Sequence, residues 1–199
     1  AGIVGYSATH LMPNICVYCG SSSGNDPSFV AAAKDLGSTI AAHGYGLVYG
    51  GANIGLMGTV ADSVLASAGI VTGVMPKSLA DKQIAHPGLS ELIVTVSMHE
   101  RKARMADLSD AFISLPGGLG TFEELFEIWT WAQLGFHQKP IAVLNVNGYY
   151  DKLIEFLEDS ATKGFIKAAH QKMLLVSDSP AELIHKIESF TPPSVGKLG

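Results

Sequence analysis

Two acidic residues end the glycine-rich segment LPGGLGTFEE, which spans residues 115–124. A glycine-rich turn that leads into a helix leaves backbone N–H groups without partners, and such groups commonly bind phosphate or another anion. Glu123 and Glu124 would repel an anion that they contacted directly. The segment therefore predicts an anion site, and it raises the question of what the two carboxylates contact instead.

Glu124 has two interpretations that the spacing alone leaves open. In the first, Thr121 and Glu124 form a capping box, in which the threonine caps a helix and the glutamate reaches back to the threonine N–H. Both acids would also stabilise the positive helix end by about 0.3–1 kcal/mol each. In the second, Glu124 does chemistry. Residues 121–134 are apolar over most of the helix circumference, so a carboxylate there is expected to be partly desolvated, which raises its pKa and suits it to proton transfer.

A group of basic residues in SMHERKARM, residues 97–105, is the second candidate for chemistry. Arg101, Lys102 and Arg104 lie on one predicted helix, and Glu100 stands four residues before Arg104. One interpretation is a solvated helix face with a single ion pair. The other is a cation site, because the chain has only 13 Lys and Arg residues and a net charge of -5. A phosphate site in such a protein needs a local positive group, and the arginine fork binds two oxygens at once.

The sequence lacks the motifs of several other kinds of site. No G-x-x-x-x-G-K-[ST] occurs, and Glu123 occupies the third glycine position of a G-x-G-x-x-G fingerprint, so neither a P-loop nor a dinucleotide site is expected. The seven histidines are scattered, and we expect no metal site. Cys16 and Cys19 form a C-x-x-C, but they lie in an apolar run that is typical of a strand, where positions i and i+3 face opposite sides. We expect two reduced, buried thiols in a cytoplasmic protein.

The composition restricts the partners of the protein. With 199 residues, of which 47% are hydrophobic and 22 are glycines, the chain is long enough for one domain with a sizeable core. The net charge of -5 argues against DNA or RNA, because binding a phosphate backbone requires a basic face. A single nucleotide is not excluded. No stretch of about 20 apolar residues occurs, so no membrane span is expected.

Runs typical of strands alternate with helical patterns along the chain. The predicted strands are residues 14–19, 45–49, 70–75, 91–96, 111–115, 140–146 and 174–177. The predicted helices are 27–42, 54–68, 98–108, 121–134, one within 148–165, and 180–189. This alternation predicts an α/β fold with a mostly parallel, doubly wound sheet and helices on both faces. We expect one domain at residues 14–190, a leader at 1–13 and a frayed tail at 191–199.

Glycine clusters follow three of the predicted strands, at residues 19–24, 49–55 and 116–120. Ligands of open parallel sheets bind beyond the carboxyl ends of the strands. Three glycine-rich turns at that edge would present many backbone N–H groups together. The pattern therefore predicts a nucleotide or phosphate site at the carboxyl edge of the sheet.

Two motifs in combination resemble a known family. PGGLGTFEE, residues 116–124, fits P-G-G-x-G-T-x-x-E, and SMHERK, residues 97–102, fits M-x-x-R-K. Together they resemble the LONELY GUY (LOG) family of cytokinin riboside 5'-monophosphate phosphoribohydrolases, over most of the chain from about residue 14 to 188. The resemblance implies a Rossmann-like fold, a homodimer, and hydrolysis of the N-glycosidic bond of a nucleoside 5'-monophosphate without a cofactor. Such sequences are also described as lysine decarboxylases, but a Schiff-base lysine is absent from the glycine-loop motifs.

The resemblance also implies the site residues. Arg101 and Glu124 correspond to the catalytic pair. The substrate-binding positions are Gly20, Ser21, Gly51, Gln83, Met98, Arg101, Lys102, Gly117, Gly118, Leu119, Gly120, Thr121, Phe122, Glu123 and Thr130. Gln83 stands where the family commonly has a glutamate. Because an amide keeps hydrogen bonding but loses the charge, we expect ligand preference or rate to differ.

A non-catalytic carrier of a nucleotide or phosphate-bearing cofactor is the alternative on the same fold. The presence of both Arg101 and Glu124 favours the enzyme. Plain AMP and prenylated adenine nucleotides share the ribose phosphate that the motifs would hold. The sequence therefore leaves the preferred base open.

Overall fold

The structure, a computed structural model, describes residues 13–82 and 84–193. Residues 1–12 of the predicted leader, residues 194–199 of the predicted tail, and the candidate site residue Gln83 lie outside the described residues. No helix in the described ranges combines the length and the apolar character that a membrane crossing requires.

Strands and helices alternate as the sequence predicts. The strands are β1 Asn14–Tyr18, β2 Gly46–Tyr49, β3 Val71–Pro76, β4 Glu91–Thr95, β5 Ala111–Ser114, β6 Ile141–Leu144 and β7 Leu174–Ser177. The helices are α1 Pro27–Ala42, α2 Gly55–Ala66, α3 Lys77–Ala80, α4 Met98–Asp107, α5 Leu119–Gln133, α6 Asp151–Thr162, α7 Ala168–Gln171 and α8 Pro180–Glu188, with a 3-10 turn at Val146–Gly148. The sequence did not predict α3, α7 and the 3-10 turn, because three or four residues are too short to show a helical period.

The seven strands form one sheet in the order β4-β3-β2-β1-β5-β6-β7, and every pair of neighbours is parallel. From β1 the chain adds strands outward to β4, then returns and adds β5 on the other side of β1. The strand order therefore reverses between β1 and β5. In open parallel sheets, this reversal leaves a crevice at the carboxyl ends of the two strands, where ligands bind.

Helices cover both faces of the sheet, so the predicted doubly wound α/β fold is confirmed. One face packs against α1, α2 and α8 through residues such as Leu36, Val60 and Leu183. The other packs against α4 and α5 through Met105 and Leu125. Because each face is buried under helices, the central strands are apolar over most of their length rather than alternating with polar residues.

Cys16 and Cys19 lie on opposite faces of the sheet, in the two separate cores. Both thiols are free and buried, and burial raises the pKa of each above its ordinary value. A pair of thiols on opposite sides of a strand cannot form a disulfide without moving the backbone. The prediction of two reduced, buried thiols is confirmed for this structure.

The start of α2 packs directly on the turn that follows β1. Gly55, the first residue of α2, has a φ of +55°, and a Cβ added there would lie 2.5 Å from the backbone nitrogen of Ser22. The Leu56 N–H donates to the Gly20 carbonyl at 3.1 Å. Only glycine fits this conformation and this approach, so α2 fixes the position of the first glycine-rich turn.

Gly55→Ala should destabilise the fold by about 1–3 kcal/mol more than Gly164→Ala, because a Cβ at residue 55 collides with backbone. Gly164 is a matched control, since its φ is +85° and a Cβ there meets no atom within 4 Å. Gly164→Ala should lower the free energy of unfolding only by the strain of placing alanine in a left-handed backbone conformation, about 1–2 kcal/mol. Urea unfolding of both variants measures the difference, and equal costs would contradict the close packing at Gly55.

Candidate functional site

Helices α2 and α5, which begin beside the glycine-rich turns at the carboxyl edge of the sheet, have no side-chain cap. The residue before α5 is Gly118 and the residue before α2 is Ile54, and neither offers a side-chain acceptor to the first turn. Three other helices do have such caps, which are Asp26 for α1, Ser97 for α4 and Ser179 for α8. The first N–H groups of an uncapped helix remain available for an anionic ligand.

The capping-box interpretation of Glu124 is wrong. Helix α5 begins at Leu119, two residues before the predicted start, so Thr121 lies inside the first turn and is buried. The side chain of Glu124 accepts a hydrogen bond from Nη1 of Arg101 at 3.2 Å. The carboxylate therefore turns across to α4, the helix of the basic cluster, rather than back along its own helix.

A cavity of about 270 Å³ lies between the turn after β1, the start of α5 and helix α4. It brings together eight of the predicted site residues, which are Gly20, Ser21, Arg101, Gly118, Leu119, Gly120, Thr121 and Glu124. A second cleft of about 290 Å³ lies on the other side of the same glycine turn and adds Gly117. The N–H of Gly20 donates to the carbonyl of Pro116 at 3.0 Å, so the turns after β1 and β5 are joined at the point where the strand order reverses.

Arg101 is held by three contacts, and its side chain is 12% exposed. Its Nε donates to the Val74 carbonyl at 3.0 Å, and Nη1 lies 3.2 Å from both Glu124 and the sulfur of Met98. These contacts leave little freedom of orientation. The guanidinium is therefore fixed at the cavity wall before any ligand arrives.

Gly50 lines the cavity, although the sequence pointed to Gly51 instead. A Cβ at Gly50 would collide with Nη2 of Arg101, so glycine makes room for the guanidinium. Gly51 has a φ of +82°, and a Cβ there would point toward Met75, at 3.4 Å from its terminal carbon. The YGG cluster correctly predicted a turn at this edge of the sheet. The sequence does not indicate which of the two adjacent glycines, Gly50 or Gly51, faces the cavity.

Burial is the main influence on Glu124, and it raises the pKa of the carboxyl above its ordinary value. The charge of Arg101 opposes this effect, and the neighbouring Glu123 adds to it. The side chain of Glu124 is only 12% exposed. A carboxyl with a raised pKa beside a fixed cation is suited to exchanging a proton or to stabilising a positive charge that develops in the cavity.

Lys102 points away from the cavity wall and bridges two carboxylates of α5. Its Nζ lies 2.5 Å from Glu123 and 3.0 Å from Glu127, and its side chain is 11% exposed. Burial acts to lower the pKa of Lys102, but the hydrogen bonds to the two glutamates outweigh it, so the pKa is raised. The ammonium is therefore charged and compensated, and it ties α4 to α5 next to the Arg101–Glu124 contact.

The remaining predicted substrate-binding residues lie around the cavity or away from it. Met98 is exposed beside Arg101 at the start of α4. Phe122 packs edge-on against Tyr150, with 6.4 Å between the ring centroids, and so faces the core. Thr130 is exposed on α5, about 13 Å along the helix axis from Thr121 at 1.5 Å per residue. The structure therefore brings neither Phe122 nor Thr130 to the cavity of one chain.

Tyr18 is a cavity residue that the sequence did not single out. It is the last residue of β1, and its ring stacks on Phe112 with the centroids 6.1 Å apart. Burial raises the pKa of its hydroxyl, and the charge of Glu124 adds to this effect. The phenol is therefore neutral. Its position at the carboxyl end of a central strand was the available signal.

Comparison with known families and proteins places the chain in a family. The sequence model of a family described as "Possible lysine decarboxylase" matches residues 57–187. The chain is 45% identical over 92% of its length to cytokinin riboside 5'-monophosphate phosphoribohydrolase LOG5 of Arabidopsis thaliana, covering 81% of that protein. It is 48% identical over 89% of its length to the probable enzyme LOGL1 of Oryza sativa subsp. japonica, covering 79% of that protein.

Solved structures show the same fold at lower identity. A molybdenum cofactor binding protein from Rippkaea orientalis aligns with a TM-score of 0.69 and 23% identity, over 90% of this chain and 98% of that one. The Moco carrier protein from Chlamydomonas reinhardtii aligns with a TM-score of 0.67 and 21% identity, over 89% and 96%. At these identities the comparison concerns the fold alone.

The stability of Glu124→Gln relative to the wild type should increase as the pH rises from 4.5 to 7. Because the folded pKa of Glu124 lies above the unfolded value of about 4.5, protonation favours the folded state. The wild type therefore loses stability as the pH rises through the folded pKa. The glutamine variant carries no ionisation at residue 124, so its stability relative to the wild type should fall as the pH is lowered toward 4.5.

Urea unfolding at pH 4.5, 5.5 and 7 measures this difference, and Glu155→Gln on the exposed surface of α6 is the matched control. A glutamine variant that is less stable than the wild type at pH 7 and equal to it at pH 4.5 would contradict the raised pKa.

Proposed function

Because this chain belongs to the LONELY GUY family of cytokinin riboside 5'-monophosphate phosphoribohydrolases, we propose that it hydrolyses the N-glycosidic bond of a nucleoside 5'-monophosphate. The products are a free base and ribose 5-phosphate. The observation that carries the proposal is the buried contact between Arg101 and Glu124, at 3.2 Å, beside the uncapped start of α5. This arrangement puts a carboxylate and a fixed cation next to a phosphate-binding helix end.

The 5'-phosphate binds at the start of α5 through the backbone N–H groups of Gly118, Gly120 and Thr121, three residues that line the cavity. The positive end of the helix dipole and the unpaired N–H groups together favour an anion there. Ser21 lies on the facing turn after β1 and offers a hydroxyl. With the phosphate at the first turn of the helix, the ribose lies toward Glu124, three residues farther along.

Glu124 acts where positive charge develops. Cleavage of an N-glycosidic bond passes through an oxocarbenium-like state on the ribose, which a nearby carboxylate stabilises. The water oxygen bonds to the anomeric carbon, Glu124 accepts a proton from that water, and the base leaves with the electrons of the broken bond. Arg101 anchors the substrate and stabilises charge on the departing base, while Glu123 binds the ribose hydroxyls.

A decarboxylase and a non-catalytic carrier are the two alternative functions, and both have weaker support. A decarboxylase of the pyridoxal-phosphate type needs a lysine in its pocket, and the cavity lining contains none in the described part of the chain. A non-catalytic carrier would bind the same ligand without breaking it. The acidic Glu124 and the basic Arg101 at the cavity favour the hydrolase, because a carrier does not need a desolvated carboxyl.

Glu124→Gln and Arg101→Lys should each reduce the release of free base at least about 100-fold, because each removes charge or geometry that acts in the transition state. Chromatography of free adenine from AMP, and of free base from isopentenyladenosine monophosphate, measures the rate and identifies the preferred base. Glu155→Gln is the control and should keep wild-type activity. Wild-type protein that binds either nucleotide but releases no base would instead indicate a carrier.

We also propose a homodimer that uses α5 and the turn after it. Phe126, Leu134 and Phe136 are exposed there, with Phe136 exposed by 71%. A cavity of about 540 Å³ beside them is lined by rings that include Trp131 and Phe136. Exposed apolar side chains of this kind are typical of protein interfaces. A role of Thr130 in substrate binding would then require the site of the second subunit, since Thr130 lies away from the cavity of its own chain.

Phe136→Asp should convert the dimer to a monomer, because a charge would be buried in an apolar interface. Phe165→Asp is the matched control, since Phe165 is 85% exposed in the turn after α6. Light scattering during size-exclusion chromatography gives the mass of each variant. A wild-type monomer, or a Phe136→Asp dimer, would contradict the proposed interface.

A further inference from the structure

Helix α4 carries Arg101 but has little apolar burial to hold it in place. Met105 and Ala106 are its buried residues. Lys102 adds a polar attachment, since its ammonium reaches across to Glu123 and Glu127 on α5. The two carboxylates differ in exposure, with the Glu123 side chain 55% exposed and that of Glu127 27%. Glu127 is thus the inner partner of Lys102 and Glu123 the outer one.

We propose that Glu127 is a positioning residue that holds Lys102 so that Glu123 can leave the lysine and bind the ribose hydroxyls. The inference rests on the proposed function, in which Glu123 contacts the ribose. Glu127 does not line the cavity, and it lies one helical turn beyond Glu123 on the same side of α5, about 6 Å along the axis. It therefore acts on the substrate through Lys102 and Glu123.

The need for two carboxylates follows from the burial of Lys102. An ammonium that is 11% exposed requires a counter-charge, because an unpaired charge in that environment is strongly unfavourable. If Glu123 were the sole partner, it could bind a ribose hydroxyl only by leaving the ammonium uncompensated. With Glu127 at 3.0 Å from Nζ, the lysine stays paired when Glu123 moves.

The same geometry explains why Glu123 is the residue that exchanges partners. Glu123 directly precedes Glu124, whose carboxyl lines the cavity, so a change of its side-chain torsions carries its carboxylate toward the rim. Its larger exposed fraction leaves room for that movement. Glu127 has less room and a greater distance to cover. Glu127 thus stays paired with Lys102, and Glu123 binds the ligand.

The test compares a nucleotide that has ribose hydroxyls with one that lacks them. Dissociation constants of AMP and of 2',3'-dideoxyadenosine 5'-monophosphate are measured by calorimetry in the Glu124→Gln background, which keeps the nucleotide intact. Adding Glu127→Gln should weaken AMP binding about tenfold, as expected for the loss of one charge-assisted contact. Binding of the dideoxynucleotide should change less than about twofold, because it offers Glu123 no hydroxyl.

Two further variants separate positioning from a general effect on the fold. Glu127→Asp keeps the charge and should restore most of the AMP affinity. In a Lys102→Gln background, the ammonium is gone and Glu123 is free, so Glu127→Gln should no longer weaken AMP binding. Glu155→Gln, which removes the exposed partner of Lys152, is the control and should leave both constants unchanged.

Equal weakening of both nucleotides by Glu127→Gln, or no weakening of AMP, would overturn the inference. So would a Glu127→Gln effect that persists in full without Lys102. Failure of the wild type to release base from either AMP or isopentenyladenosine monophosphate is a separate result, and it would overturn the proposed hydrolysis while the binding constants still decide the role of Glu127. Thermal unfolding of each variant by circular dichroism confirms that the fold is retained.

Discussion

The contact between Arg101 and Glu124 is the interaction on which the rest of the site depends. Both side chains are 12% exposed, so each has lost most of its hydration and depends on the other. Such a pair is a poor source of stability, because the loss of hydration offsets most of the attraction. Its value lies in pre-organisation, since the carboxylate and the guanidinium are already oriented and partly dehydrated before a ligand binds.

The sheet supplies the positions that this pair requires. Arg101 is anchored to the Val74 carbonyl in β3, while Glu124 follows β5 by one loop and a helical turn. Between these strands, the turns after β1 and β2 pass close to the guanidinium, and glycine at residue 50 leaves the space it occupies. The site thus draws on loops from several strands of one edge, which is the reason that a parallel sheet suits this kind of chemistry.

Much of this architecture was predictable from the sequence, because it depends on local patterns. The limits of α1 were predicted at 27–42 and observed at Pro27–Ala42, where Asp26 and Pro27 mark the start. The start of α5 was predicted two residues too late. Leu119 and Gly120 are not residue types that indicate a helix start, whereas threonine commonly caps helices. The pairing of Lys102 with Glu127 was out of reach, since it depends on how α4 and α5 pack. The roles of the substrate-binding residues stay predictions, including that of Gln83.

The position of β1 at the centre of the sheet has a consequence for how the molecule assembles. β1, β2, β3 and β4 pair with one another in chain order, so the amino-terminal half can build its part of the sheet from nearby segments. β5 joins β1 from far along the chain, as the pairing of Ile15 with Ala111 shows, and such distant pairings form slowly. The turns after β1 and β5, which line the cavity, come together only when β5 pairs with β1. A newly made chain therefore acquires this cavity at a late step, after most of the first half has its secondary structure.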